Sequence, residues 1–280
     1  MQEMTFDLGH IQLSGLAFGN PKNPLILATH GWLDNAASFV PISQYLQDYY
    51  LIALDFAGHG KSSHRANGAH YHILDNIYDI HALVQSQQWE EVILLGHSMG
   101  GILAGAYASC FPEITKALVM MEAFGALTKE PESSPQQLRD SIRSRLDVAA
   151  RRATKPNSIE QAVQARLIAG KMLRESAELL MRRNIRTVDD GLEWRTDRRL
   201  RTLSPLRLTE PQADAFLHGI ECPTLSILGD QGFDELKPIQ ANKRHLITNF
   251  RDTECVGGHH LHMDNPEEVS VKIKDFLTKI

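Results

Sequence analysis

The chain has 280 residues, 42% of them hydrophobic, a net charge of −5 and a sequence pI of about 6.2. That length suffices for a large buried core, and the acidic balance argues against nucleic-acid binding, which needs a basic face to neutralise phosphates. No segment approaches the roughly 18 apolar residues of a membrane span, and Met1–Asp7 lacks the basic start and apolar stretch of a secretion signal.

Apolar runs alternate with helical patterns along most of the chain, which predicts an α/β fold with a largely parallel sheet. Thr5–His10 and Ile11–Phe18 read as an opening hairpin, followed by strands at Leu25–Thr29 and Tyr50–Asp55. Further strands are expected at Val92–Leu95, Ala117–Glu122, Thr224–Leu228 and Phe250–Cys255. Helices are expected between them at Ala36–Leu46, Tyr71–Gln87, Ser98–Cys110, Lys237–Leu246 and Pro266–Leu277. Cys110, Cys222 and Cys255 are odd in number and widely spaced in apolar runs. They read as reduced core thiols of a cytoplasmic protein rather than as a disulfide or metal framework.

Residues 128–217 break the alternation. They show no strand-like run and are rich in helix formers, with helices expected at Gln137–Ala153, Ile159–Leu173 and Glu175–Ile185. The stretch 128–219 carries 18 Lys and Arg against 13 Asp and Glu, a net of +5, leaving 11 against 21 elsewhere. A basic helical insertion in an acidic body suggests a lid (128–217) over a core made of 1–127 and 218–280. Most of its arginines are expected to be solvated helix faces; attraction of anionic substrates is the lesser alternative.

The chemistry centres on Gly96-His97-Ser98-Met99-Gly100, a G-x-S-x-G pattern placed between an apolar strand and a helix. On so sharp a turn a serine is held out in a strained conformation, and glycines two residues before and after it remove β-carbons that would clash. The hydroxyl then sits at a helix N-terminus, where backbone N–H groups favour developing negative charge. Three further segments lie at expected strand ends, where ligands bind in open α/β sheets. In His30-Gly31-Trp32 the Trp32 amide can join that of Met99 in an oxyanion hole. Asp55-Phe56-Ala57-Gly58-His59-Gly60-Lys61-Ser62 reads as a structural turn, and Gly257-Gly258-His259-His260-Leu261-His262 precedes the last helix.

Together these motifs, in this order and spacing, resemble the α/β-hydrolase superfamily, and the likeness covers the whole body on both sides of the insertion. It is nearest to the lidded serine-hydrolase-like subgroup related to epoxide hydrolases and haloalkane dehalogenases. The resemblance implies an α/β-hydrolase fold with a mostly parallel eight-stranded sheet, flanking helices and an inserted helical lid. Epoxide hydrolases and dehalogenases carry an aspartate at the elbow. Ser98 here implies ester-type hydrolysis instead. The superfamily's catalytic histidine follows the glycine of the Gly-His pair, which maps to His259. His262 would then shape the loop, and His260 would point elsewhere. A metal on His259, His260 and His262 is not expected, since no carboxylate or cysteine cluster accompanies them. No cofactor is implied.

The acid is the departure. The usual position, an aspartate three residues past the glycine of Leu228-Gly229-Asp230, holds Gly232 here. Glu122, after the apolar run Leu118–Met121, matches the glutamate that some dehalogenases use. A carboxylate at a buried strand end also needs a partner to offset its desolvation. Glu122 is therefore preferred, with Asp230 and Asp234 as alternatives and a salt bridge to a lid arginine as its non-catalytic role. The expected activity is hydrolysis of a small carboxylic ester, thioester or related acyl compound through an acyl-enzyme. Met121, Phe124, Trp32, Leu173 and Leu180 are candidate pocket residues, each equally at home in a core. Carbon–carbon bond hydrolysis, perhydrolysis or amide cleavage on the same triad, and ligand binding without turnover, remain alternatives.

Overall fold

All 280 residues are described by the structure, a computed structural model. The chain opens with an antiparallel hairpin, β1 (Gln2–Asp7) and β2 (Gln12–Phe18). β3 (Leu25–Thr29) leads into a 3-10 turn, Ala36–Phe39, and the short helix α1 (Val40–Ser43). Next come β4 (Tyr50–Asp55), α2 (Asp75–Ser86), β5 (Val92–His97), α3 (Met99–Cys110) and β6 (Thr115–Met121). The insertion holds α4 (Ser134–Ala150), α5 (Ile159–Ala169), α6 (Arg174–Asn184), β7 (Ile185–Val188) and β8 (Gly191–Trp194). α7 (Glu210–His218), β9 (Thr224–Gly229), α8 (Leu236–Lys243), β10 (Phe250–Cys255), α9 (Leu261–Asp264) and α10 (Pro266–Leu277) complete the chain.

Eight strands make one sheet in the order β1-β2-β4-β3-β5-β6-β9-β10, antiparallel at β1/β2 and β2/β4 and parallel beyond. The central strands read as continuous apolar runs because both faces are covered. Val92 and Leu94 face a core built with α2 and α3, whereas Ile93 and Leu95 face the one under α1 and α10. The period-2 alternation of a strand thus splits a single run between two cores. No helix is long and apolar enough to cross a membrane.

Three expectations need correction. The helix expected over Ala36–Leu46 is broken into a 3-10 turn and α1, with Pro41 setting the start of the second piece. The insertion is not free of strands: β7 and β8 pair as a separate antiparallel hairpin. Its four-residue strands are too short to show a period, and the cross-strand Arg186–Glu193 pair looks like helical surface in sequence. Cys110 is an exposed thiol at the end of α3, unlike the buried Cys222 and Cys255. α7, which the sequence did not suggest, packs against α3 and puts Leu217 into the main core.

The insertion leaves the sheet after β6 and returns at β9, and these two strands are neighbours. Everything between them therefore stands outside the sheet. Its own small core, with Val163, Leu180 and Met181 at its centre, also takes in Met263 from α9.

Candidate active site

Ser98 sits between the last residue of β5 and the first of α3, with φ 53° and ψ −123°. Non-glycine residues rarely adopt this region, at a cost of about 1–3 kcal/mol that surrounding structure must offset. Packing explains how the turn stays so tight. A β-carbon on Gly96 would lie 2.5 Å from the Gly101 Cα, and one on Gly100 would lie 2.1 Å from the Thr29 carbonyl oxygen. Glycine at both positions lets α3 close directly on β3 and β5. As the first residue of α3, Met99 has an amide with no partner within the helix.

Glu122 follows the last residue of β6, almost fully buried and at φ 49°. One carboxylate oxygen accepts from the Gly229 amide at 2.7 Å, the other from the Phe233 amide at 3.2 Å. The second oxygen also lies 3.2 Å from His259 Nδ1. The structure therefore brings Glu122 and His259 together, and the salt bridge from Glu122 to a lid arginine is not formed. Asp230 instead accepts from the Gly257 amide at 2.8 Å, bracing the loop that carries His259. The ring of Phe233 packs over His259 with centroids 4.1 Å apart.

His97 is fully buried, and its Nε2 donates to the His259 backbone carbonyl at 2.7 Å. This bond requires a proton on Nε2. Burial first, then the rings of His262, His259 and His260, push its pKa well below the usual histidine value. His97 thus braces the backbone of His259.

The loop after β3, which carries Trp32, is held by two more buried neutral histidines. His30 Nε2 accepts from the Phe56 amide at 3.1 Å, and its Nδ1 donates to the Gly31 carbonyl at 2.7 Å. His59 Nε2 accepts from the Leu33 amide at 3.2 Å, with Leu33 at φ 64°. Burial pushes His30 down to about 4 and His59 to about 3. Trp32 itself is half exposed, its indole N–H donating to the Leu200 carbonyl at 3.1 Å. Leu173 is also exposed, whereas Met121, Phe124 and Leu180 are core residues.

His260 points away from Glu122, into a cluster that the sequence did not suggest: its Nε2 lies 3.1 Å from Asp34 Oδ2, and Arg166 of α5 reaches both Asp34 Oδ1 (2.7 Å) and His260 Nε2 (3.0 Å). Burial would raise Asp34, but His260 and Arg166 outweigh it and hold the carboxyl below its usual range. Asp34, His97 and His260 bring donor atoms within 4.8 Å of one another, an arrangement that could hold a cation. Here the Arg166 guanidinium supplies the positive charge.

The model of the alpha/beta hydrolase fold family matches residues 24–266, and the chain belongs to that family. A hypothetical protein of Pseudomonas aeruginosa PAO1 with a solved structure is 36% identical, with a TM-score of 0.93 and full coverage of both chains. The thioesterase domain from the curacin biosynthetic pathway is 25% identical, with a TM-score of 0.85, covering 98% of this chain and 99% of that one. Serine hydrolase-like protein 2 of Homo sapiens is 32% identical over 289 residues, 96% of this chain and 91% of the human protein. The chain is a hydrolase-superfamily member of serine hydrolase-like kind.

Proposed function

We propose that the chain is a serine hydrolase that cleaves a small carboxylic ester, thioester or related acyl compound through an acyl-enzyme. The observation that carries this reading is the contact of Glu122 with His259 Nδ1 at 3.2 Å, with Ser98 held at φ 53° at the end of the strand paired with the one that Glu122 follows. His259 takes the Ser98 proton as the hydroxyl attacks the carbonyl carbon. Glu122 keeps the proton of the neutral imidazole on Nδ1 and stabilises the imidazolium that forms. The amides of Trp32 and Met99 receive the oxyanion, each worth about 3 kcal/mol in comparable sites. His259 then protonates the leaving group, and later activates the water that frees the acyl group and restores Ser98.

Residues 128–217 serve in this reading as a lid on the body formed by 1–127 and 218–280. The contacts from Arg166 to Asp34 and from Arg183 to Asp55 support it, since each joins an inserted helix to a loop or strand end beside the site. The test is labelling with a fluorophosphonate followed by turnover of p-nitrophenyl esters. Ser98→Ala should abolish both without changing the circular dichroism spectrum; unchanged p-nitrophenyl acetate hydrolysis in that variant would rule out the serine mechanism.

A further inference from the structure

A cavity of about 420 Å³ opens where the segment 64–70 meets the inserted helices, lined in part by His64, His70, Arg145, Asp197, Arg198 and Arg199. The volume lies within the usual range of small-molecule sites. Its charges do not balance: three guanidiniums face one carboxylate. That carboxylate is already committed. Asp197 accepts from the Tyr71 hydroxyl at 2.8 Å and Arg199 at 2.7 Å, and lies 3.3 Å from His64. Arg199 is committed too, donating to the carbonyls of Arg65, Ala66 and Ala69 and so folding the floor of the cavity.

Two cations are left over. Arg198 bonds the carbonyl of Arg151, which carries no net charge. Arg145 Nε and His70 Nδ1 are buried with no hydrogen-bond partner. Burial first, then Arg145, His72 and Arg199, lower the pKa of His70, as a positive local field requires. An unpaired buried donor is destabilising, and an anion would satisfy it. The charge selects among anions: a phosphate monoester brings about −1.5 to −2 at neutral pH, matching two free guanidiniums, whereas a carboxylate brings only one charge. Guanidinium forks also match phosphate geometry.

The turn that lines the cavity is tied to the loop of the proposed oxyanion hole. Trp32, whose amide is a proposed oxyanion donor, donates from its indole to the carbonyl of Leu200, the residue after Arg199. The Asp197 amide in turn bonds the Gly58 carbonyl at 2.8 Å, fixing this turn to the body.

We propose that this cavity is a phosphate subsite, with Arg145 and Arg198 as its anchors, for an acyl substrate that carries a phosphate group. The substrate part of the proposal rests on the serine-hydrolase reading; the phosphate site does not. Calorimetric titration with inorganic phosphate should show binding to the wild type and to Ser98→Ala, and loss of binding in Arg145→Ala/Arg198→Ala. Kinetics would compare two thioesters of the same acyl group, one on neutral N-acetylcysteamine and one on phosphopantetheine. Wild-type kcat/KM should favour the phosphorylated thioester about tenfold or more. The double substitution should remove that preference and leave the neutral substrate unchanged. Retained phosphate affinity in the double variant would overturn the site. Lost affinity with equal wild-type turnover of both thioesters would overturn its role in substrate binding and mark the ligand as free phosphate. Phosphate binding with turnover of neither thioester would leave the site standing and count against the hydrolase reading.

Discussion

A β-carbon built on Gly232 would lie 2.1 Å from Glu122 Oε1, so positions 122 and 232 compete for one volume. Where the superfamily commonly has an aspartate, this chain has the space into which its glutamate extends. Gly232→Ala should therefore displace the carboxylate and lower kcat at least about tenfold, with a smaller change in KM. Glu122→Ala/Gly232→Asp should recover part of the activity that Glu122→Ala loses, by supplying a carboxylate from the other strand. A double variant no better than Glu122→Ala would show that the two positions are not interchangeable.

Glu122→Gln should lower kcat by a factor on the order of 10³ or more, because an amide neither fixes the productive tautomer nor stabilises the imidazolium. Asp230→Asn keeps an acceptor for the Gly257 amide, and its cost should stay below about tenfold. Steady-state kinetics on one chromogenic ester decides between them. The reverse ranking would return the acid role to Asp230.

The buried neutral histidines make the fold sensitive to acid. Burial pushes His30 down to about 4, and His59 and His262 to about 3. Unfolded, each titrates near 6.5. As pH falls through that value the unfolded chain takes up protons that the folded chain refuses. The stability they contribute is thus full above about pH 6.5 and lost progressively toward pH 3–4, at up to about 1.4 kcal/mol per pH unit for each histidine. Urea midpoints should be level near pH 7–8 and fall steeply from pH 6 to 4. A level midpoint down to pH 4.5 would contradict the neutral assignments.

Arg166→Ala removes a partner from a carboxylate that is almost fully buried. Breaking such a pair costs about 3–5 kcal/mol when nothing compensates; His260, still on Asp34, should reduce this. The loss should fall on the contact between α5 and the body, so limited proteolysis within 151–173 should speed up before the whole chain destabilises. Cleavage at the wild-type rate would mean that this pair does not hold the insertion.

The parallel sheet was legible because strands buried on both faces are written as uninterrupted apolar runs, as in Val92–Leu95. The elbow was legible because its glycines are required by close approach of backbone to backbone. Glu122 could be found by its place after such a run, against the more usual pattern. The Asp34–His260–Arg166 cluster could not. Its members are separated by 132 and 226 residues along the chain, and no local pattern encodes that encounter. The hairpin of β7 and β8 escaped notice for the opposite reason, being too short and too charged to differ from helix surface.

The bonds from Arg183 to Asp55 join α6 to the end of β4 across 128 residues, in a pair that also draws in Glu3 of β1. Asp55 takes its place only when β4 lies between β2 and β3, so Arg183 has no anchor until that part of the sheet exists. Closing so long a loop costs entropy that only a preformed acceptor recovers. The insertion should accordingly consolidate late in folding, gaining amide protection after the central strands. Emerging before the last two sheet strands are synthesised, it would wait on the ribosome as loosely held helices.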